Sequence, residues 1–427
     1  MRIPDSIILK IKDDLILGRL TQAEIAEKYS TETRVLSRSL ISNIATERQY
    51  ADVGQPMEIP KSRANGRLQK SPEEQVVYWK GQAERLRQHW QRAERQLRNL
   101  SRQAGTIDYA IEELSEVIVP IKPSKVTNYK PKAKNSIEES AVLMLSDLHA
   151  DEIVEPQEVD GLENFNFPVA VQRACHMVQE VSKWCNRSLS NFHFKKLYVF
   201  GLGDYTNGEI HRAENYFGDQ MTADLGIGEF IGLIVADLAS HFPEVEFCNV
   251  TGNHGRKSQK IEFDKKADND NHDTLIARIA ELHCKNLPNV KFRFPDALSQ
   301  IVDVEGYNFH LSHGHGKRTA SEVWSRAKTA GQKTNALHLG NIDYFCQGHY
   351  HTTGDVRISG GASLLANGAF LATDQYSYQS LQECSVPSQT LFGVHANNGV
   401  TWRLPIDLRC DPKQENRYES LERFYAV

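Results

Sequence analysis

An α/β body preceded by two helical modules is the architecture this sequence predicts. Three observations carry it. From about residue 138 onward, short apolar runs of strand length end in Asp, Asn or His. Between Val76 and Ile118, apolar residues step by three and four without a break. Residues 20–42 hold two short amphipathic segments around a turn. The chain has 427 residues, room for two or three domains. It is 40% hydrophobic and 25% charged, as ordinary soluble proteins are. No apolar run has the length of a membrane span, so no membrane partner is expected. Asp5, Lys10, Lys12, Asp13 and Asp14 interrupt the first apolar residues, which excludes a signal peptide pattern. Seven scattered cysteines without a C-x-x-C pair exclude a thiolate zinc site or disulfide framework and point to a reducing cytoplasm.

The first module is residues 1–50. Thr21 followed by Glu24 has capping-box spacing, and Leu20, Ile25, Ala26 and Tyr29 then share one helix face. After a turn at Ser30 to Glu32, a second helix is expected over Thr33 to Leu40. Val35, Leu36 and Leu40 would be its buried face, with Arg34, Ser37 and Arg38 outward. The segment resembles a helix-turn-helix, whose second helix enters the major groove, so those three residues are the expected DNA contacts. Ser30 and Thr31 depart from the Gly and apolar residue common there, and a helical pair serving only packing or protein contact is the other reading.

Residues 51–70, with Gly54, Pro56, Pro60 and Gly66, form a linker. Ser71, Pro72, Glu73 and Glu74 then open a helix with an N-cap, a first-turn proline and acidic residues. The seam from Val76 to Ile118 amounts to six heptads, the pattern of a coiled coil over residues 71–119 about 65–70 Å long. Lacking a second heptad segment to fold back on, the seam would pair with another copy of the chain as a dimer or higher homo-oligomer. The alternative is a long helix lying along its own α/β domain. Arg85, Arg87, Arg92, Arg95, Arg98 and Arg102 crowd the remaining faces, and Gly81 and Gly105 weaken the helix locally. Residues 120–137, with Pro120, Pro123 and Pro131, are a second linker. Net charge is distributed unevenly: residues 1–134 carry +7 and the remainder −12. A basic front on an acidic body suggests a polyanionic partner, a solvated basic helix being the alternative.

In residues 138–410 the apolar runs deliver metal-ligand types at one end. Ala141–Leu145 leads to Asp147 and His149, and Leu197–Phe200 to Gly203 and Asp204. Glu246–Val250 leads to Gly252, Asn253 and His254, Tyr307–Leu311 to His313 and His315, and Tyr344–Cys346 to Gly348, His349 and His351. Strand ends are where α/β proteins place their sites. Imidazole and carboxylate donors suit Mn, Fe, Zn or Ni, and two ions held close together need a shared carboxylate.

Five motifs in this order resemble the calcineurin-like metallophosphoesterase superfamily, over about residues 138–408. The stretches Glu158–Asn166 and Gly203–His211 are most similar to a branch met in bacteriophages and prophages. The resemblance implies a four-layer α/β/β/α sandwich holding two divalent transition-metal ions, Mn²⁺ foremost. Asp147, His149, Asp204 and His351 would hold one ion, and Asp204 would bridge to a second held by Asn253, His313 and His349. A metal-bridging hydroxide would attack the phosphorus in line. His254 would stabilise charge or protonate the leaving oxygen, oriented by Asn207, which stands where the family commonly has Asp. His313 directly follows its strand and is the chosen ligand of the pair with His315. His211, Arg256 and His315 are candidate substrate contacts. Residues 411–427 read as a C-terminal tail.

The function expected from these parts is a dinuclear-metal phosphodiesterase, a nuclease acting on DNA, in the cytoplasm, or the host cytoplasm if the chain is phage-encoded. Two alternatives stay open. One is a phosphomonoesterase or nucleotide or cyclic-nucleotide hydrolase that the N-terminal region only assembles. The other is a DNA-binding scaffold with a structural metal domain.

Overall fold

The computed structural model describes residues 3–17, 20, 22–30, 36–45, 107–126, 129, 134–210, 214–258, 270–295, 297–314, 329, 332–338, 341–358, 361–410 and 417–425. The chain divides into two units, Met1–Ser101 and Arg102–Val427.

Among the described residues of the first unit, three helices surround a small aliphatic core: α1 (Asp5–Leu17), α2 (Gln22–Lys28) and α3 (Arg38–Ala45). Ile8 and Ile11 from α1, Ile25 and Ala26 from α2, and Ile41 and Ile44 from α3 are buried together with Leu36. Asp14 ties α1 to α2, accepting from Lys28 Nζ and Tyr29 Oη, each at 2.7 Å. The last helix begins later than the sequence pattern suggested. Leu36 and Ser37 precede it, and the Ser37 hydroxyl accepts from Leu40 N at 3.2 Å, as an N-cap does. Ser37 is therefore a helix start, still exposed, and not a residue on the helix's outer face. Leu36 is buried as expected, Ile41 and Ile44 supply the rest of the buried stripe, and Val35 lies outside the described residues. Arg34 and the side chain of Arg38 lie outside the described residues, as do positions 46–106 with the linker and most of the heptad seam.

The second unit carries two sheets. The strands of the larger are β1 (Ile137–Leu145), β2 (Phe192–Gly201), β3 (Glu244–Asn249), β4 (Val290–Arg293), β10 (Ser388–His395) and β11 (Gly399–Asp407), in the order β11-β10-β1-β2-β3-β4. β1 to β4 are parallel, and β10 and β11 add antiparallel strands at one side. The smaller sheet is formed by β5 (Ser299–Val304), β6 (Tyr307–Ser312), β7 (Tyr344–Gln347), β8 (Gly354–Arg357) and β9 (Ser363–Ala366), in the order β5-β6-β7-β9-β8. All five strands anticipated from apolar runs are present.

Period-two alternation divides the core into layers. Ala141, Leu143, Leu197, Val199, Val245 and Phe247 face the helices α5 (Phe167–Lys183), α6 (Gln220–Ala239) and α7 (His272–Cys284). Val142, Met144, Tyr198 and Phe200 face the other way and meet Val302, Phe309, Leu311 and Cys346 of the second sheet. Phe345, Leu364, Tyr350 and Ile358 line that sheet's outer side. There the helical residues 332–337 are anchored by Asn335 Oδ1, which accepts from Ile342 N at 3.1 Å. The layers thus run helices, sheet, sheet, helix. Among the described residues, no helix is long and apolar enough to cross a membrane.

Two segments pack on the α/β body, the first as in the alternative reading of the seam. Helix α4 (Ile107–Val117) brings Ile107, Ile111, Leu114 and Ile118, the last four seam positions, against Leu275 and Ile279 of α7. This end of the seam is covered by the chain itself. Residues 417–425, within the expected tail, close the helical layer: Tyr418 and Leu421 are buried in the main core, and Arg423 pairs with Glu229 of α6.

Candidate metal centre

Five loops meet at the C-terminal ends of β1, β2, β3, β6 and β7. Those after β1, β2 and β7 leave their strands through sharp turns. Asp147, His149, Asp204, His349 and His351 all have positive φ, between 42° and 74°. Asp, Asn and His are the side chains that reach this left-handed region most readily. The turns are interlocked through the main chain. Asp147 N donates to Gly203 O at 3.0 Å, His149 N to Asp204 O at 3.2 Å, and Val250 N to Gly201 O at 2.8 Å. Gly203 is at φ 85°, and a Cβ there would fall 2.2 Å from Gly252 N. A Cβ on Gly252 would fall 2.0 Å from Asp204 Oδ1, so only glycine lets the two loops touch.

The side chains form three overlapping groups whose donor atoms lie within 4.8 Å of one another: Asp147, His149 and His351; His149, Asp204 and His254; and Asp204, His313 and His349. Asp204 belongs to two of them. His313 Nδ1 faces Leu202 O at 2.7 Å, which turns Nε2 toward Asp204 Oδ2 at 2.8 Å. His351 Nε2 is 3.5 Å from Asp147 Oδ1. His349 N donates to both Asp147 oxygens at 3.0 Å. His254 N donates to Asp204 Oδ1 at 2.8 Å, and its Nδ1 lies 2.8 Å from Asn207 Oδ1 and 3.3 Å from Asn207 O. With two acceptors facing Nδ1, that nitrogen carries the hydrogen and Nε2 is left toward the cluster, 4.0 Å from Asp204 Oδ2.

The donor set fits cations. Both ring nitrogens of buried His149 and the Oδ1 of Asn253 have no hydrogen-bond partner among the described residues, a costly arrangement unless something else binds them. Burial and the nearby His254 and His351 push His149 down to about 3. Burial and His313 do the same to His349, also to about 3. Both are neutral imidazoles with a lone pair to offer. For Asp204, burial is outweighed by His313, His254 and His149, which hold its carboxyl well below the usual range. Burial opposes a charge on His313, but the Asp204 carboxylate overrides it and lifts this imidazole to about 9.

Of the other expected site residues, Arg256 donates from its Nη1 to the Asn253 carbonyl, with its Nε buried. His211 and His315 lie outside the described residues, and His313 lies in the cluster. Several supporting residues escaped the sequence reading. Asp151 accepts from Asn207 N and Thr206 Oγ1, each at 2.6 Å, and so fixes the loop that orients His254. Gln389 accepts from Ser146 N at 2.9 Å and donates to Ser146 O at 3.1 Å, bracing the turn into Asp147. Asp273 receives three main-chain N–H groups from the ligand loops. Asp151 continues the alternation Asp147, His149, Asp151, a signal available in the sequence. Gln389 and Asp273 carried none that separates them from an ordinary strand residue and an ordinary helix cap.

Fold and side chains together define a two-sheet α/β protein with a cluster at its sheet ends suited to divalent metal ions. No protein-family model and no curated protein matches the chain. Among solved structures it is similar to Vps29 from Entamoeba histolytica complexed with zinc, at 13% identity over 63% of this chain and 99% of that one, TM-score 0.23. A predicted phosphoesterase from Streptococcus pneumoniae TIGR4 aligns at 8% identity over 63% and 98%, TM-score 0.25. A putative 5'-nucleotidase from Staphylococcus aureus aligns at 10% identity over 67% of this chain and 58% of that one, TM-score 0.32.

Proposed function

We propose that this chain is a metal-dependent phosphoesterase of the calcineurin-like metallophosphoesterase type, cleaving phosphodiesters in nucleic acid, with DNA as the substrate. The observation that carries the reading is the buried cluster in which Asp204 joins two groups of imidazole and carboxylate donors. Asp147, His149, Asp204 and His351 would hold one ion, and Asp204, Asn253, His313 and His349 the other. Such ions supply Lewis acidity toward phosphoryl oxygens and lower the pKa of a water nucleophile. Asp204 keeps the two positions adjacent. His254 takes or gives the proton at Nε2, because Asn207 holds its Nδ1 hydrogen. The burial of Asp147, His149, Asp204 and His313 keeps their charges largely unscreened by solvent. DNA is favoured because residues 1–134 carry +7 and a polyanion is the partner such a front would hold.

The test is a reconstitution with Mn²⁺ followed by elemental analysis and a substrate screen. Two ions per chain and faster turnover of bis-p-nitrophenyl phosphate than of p-nitrophenyl phosphate are expected, with cleavage of DNA. Less than one ion per chain would remove the metal assignment. A clear preference for the monoester would favour a phosphomonoesterase or nucleotidase.

A further inference from the structure

Asp204 and Asn253 hang from different strands. The β2–β3 ladder ends at Gly201 opposite Asn249, and one further bond, Val250 N to Gly201 O, follows it. Beyond that point the β2–β3 register has no further paired residues among those described. The carboxylate of Asp273, fully buried, stands in the gap. Its Oδ2 accepts from Asp204 N at 2.9 Å and from Gly252 N at 2.8 Å, and its Oδ1 accepts from Tyr205 N at 2.9 Å. One side chain thus receives main-chain hydrogens from both loops, one residue from Asn253 and on Asp204 itself.

Asp273 is itself held firmly. It lies in the first turn of α7, where its N–H donates to the Asn271 side chain at 2.9 Å. Asn271 Nδ2 donates in turn to Gly252 O at 3.2 Å, and His272 N to Gly255 O at 2.7 Å. The start of α7 therefore grips the Gly252–Gly255 loop by both its N–H and its C=O groups, while the helix body is anchored by buried Ile276 and Ile279. A carboxylate accepting several N–H groups is a strong and directional clamp. It places a second buried acid beside Asp204, an arrangement that burial alone disfavours and that cations in the cluster would relieve.

We propose that Asp273 is a positioning residue that locks the Asp204 and Asn253 loops into one frame, so that both metal positions fill together. This rests on the two-metal reading above. The test compares the wild-type protein with Asp273→Asn and Asp273→Ala by calorimetric titration with Mn²⁺, alongside the Mn²⁺ dependence of bis-p-nitrophenyl phosphate hydrolysis. The asparagine is isosteric but presents an N–H₂ to one main-chain N–H, and it carries the test if the alanine variant does not fold. Wild type is expected to bind two ions. In Asp273→Asn the second ion should bind more than tenfold more weakly, and half-maximal activity should need more than tenfold more Mn²⁺. At saturating Mn²⁺, KM for the ester should stay within twofold of wild type. A role confined to stability would lower the melting temperature of the metal-free protein and leave Mn²⁺ affinity alone. Two ions bound by Asp273→Asn at wild-type affinity overturns the proposal, whereas a wild-type protein that takes up no Mn²⁺ overturns the metal reading beneath it.

Discussion

At the scale of residues, the candidate centre is built on strained backbone. Each of the five left-handed turns at Asp147, His149, Asp204, His349 and His351 costs about 1–3 kcal/mol. Main-chain bonds among the turns, with Asp151, Gln389 and Asp273 behind them, hold the geometry that isolated loops would not keep. The division of labour leads to a prediction. His254→Ala should leave Mn²⁺ content near two per chain and lower kcat by about 10²–10⁴-fold, the range general acid–base groups supply. Asn207→Ala should lose less, because Asn207 O still faces His254 Nδ1 at 3.3 Å. Asp204→Ala should abolish turnover and empty at least one position, and elemental analysis beside steady-state kinetics separates the three. The ligands were legible because each follows a strand-length apolar run. Apart from Asp151, which continues the Asp147 and His149 alternation, their supports were not, because a side chain that braces the main chain is read from contacts across the fold and has no spacing of its own. Asp273 comes 69 residues after the Asp204 amide it holds.

At the scale of elements, legibility followed burial. The ends of β1 and β2 are covered on both faces, so they read as apolar runs, and β3 reads as an alternating one, whereas β8, with exposed Asp355 and Arg357, carries no such signal. The heptad seam shows the limit of periodicity. A three-four spacing fits a coiled coil and an amphipathic helix packed on its own domain, and α4 uses its last four positions in the second way. The seam should accordingly be divided in function. Leu114→Asp would place a charge against Leu275 and Ile279 and is expected to lower the melting temperature of the second unit without changing the particle mass. Leu86→Asp with Leu97→Asp would place charges in the seam proposed to join copies of the chain, and is expected to reduce the mass with little change in melting temperature. Light scattering and thermal unfolding on both variants check this, and a monomeric mass for the unaltered protein would end the proposal of a homo-oligomer.

At the scale of the whole molecule, charge divides the chain into two parts of opposite sign. The front, residues 1–134, carries +7, and the remainder carries −12. An acidic body repels a polyanion, so a nucleic acid has to be brought to the metal centre by something else. A small phosphate ester has no such need. Among its described residues the first unit offers three helices, of which the third starts at Arg38 behind the exposed cap Ser37, and Arg34 lies just before that cap in sequence. If this front holds DNA through its phosphates, binding must weaken steeply with salt, since each neutralised phosphate releases a condensed counterion. The fragment 1–134 is expected to shift double-stranded DNA at 50 mM salt and to lose at least tenfold in affinity at 200 mM. Arg34→Ala with Arg38→Ala should weaken the shift further and reduce its salt slope by roughly one to two units, about 0.9 for each phosphate that no longer meets an arginine. In the full chain, the same double substitution should leave hydrolysis of bis-p-nitrophenyl phosphate unchanged and slow the cleavage of DNA, because tethering raises the effective concentration only of a substrate long enough to reach both parts. No shift at low salt, together with unchanged DNA cleavage, would remove nucleic acid as the substrate and leave a phosphoesterase for small esters.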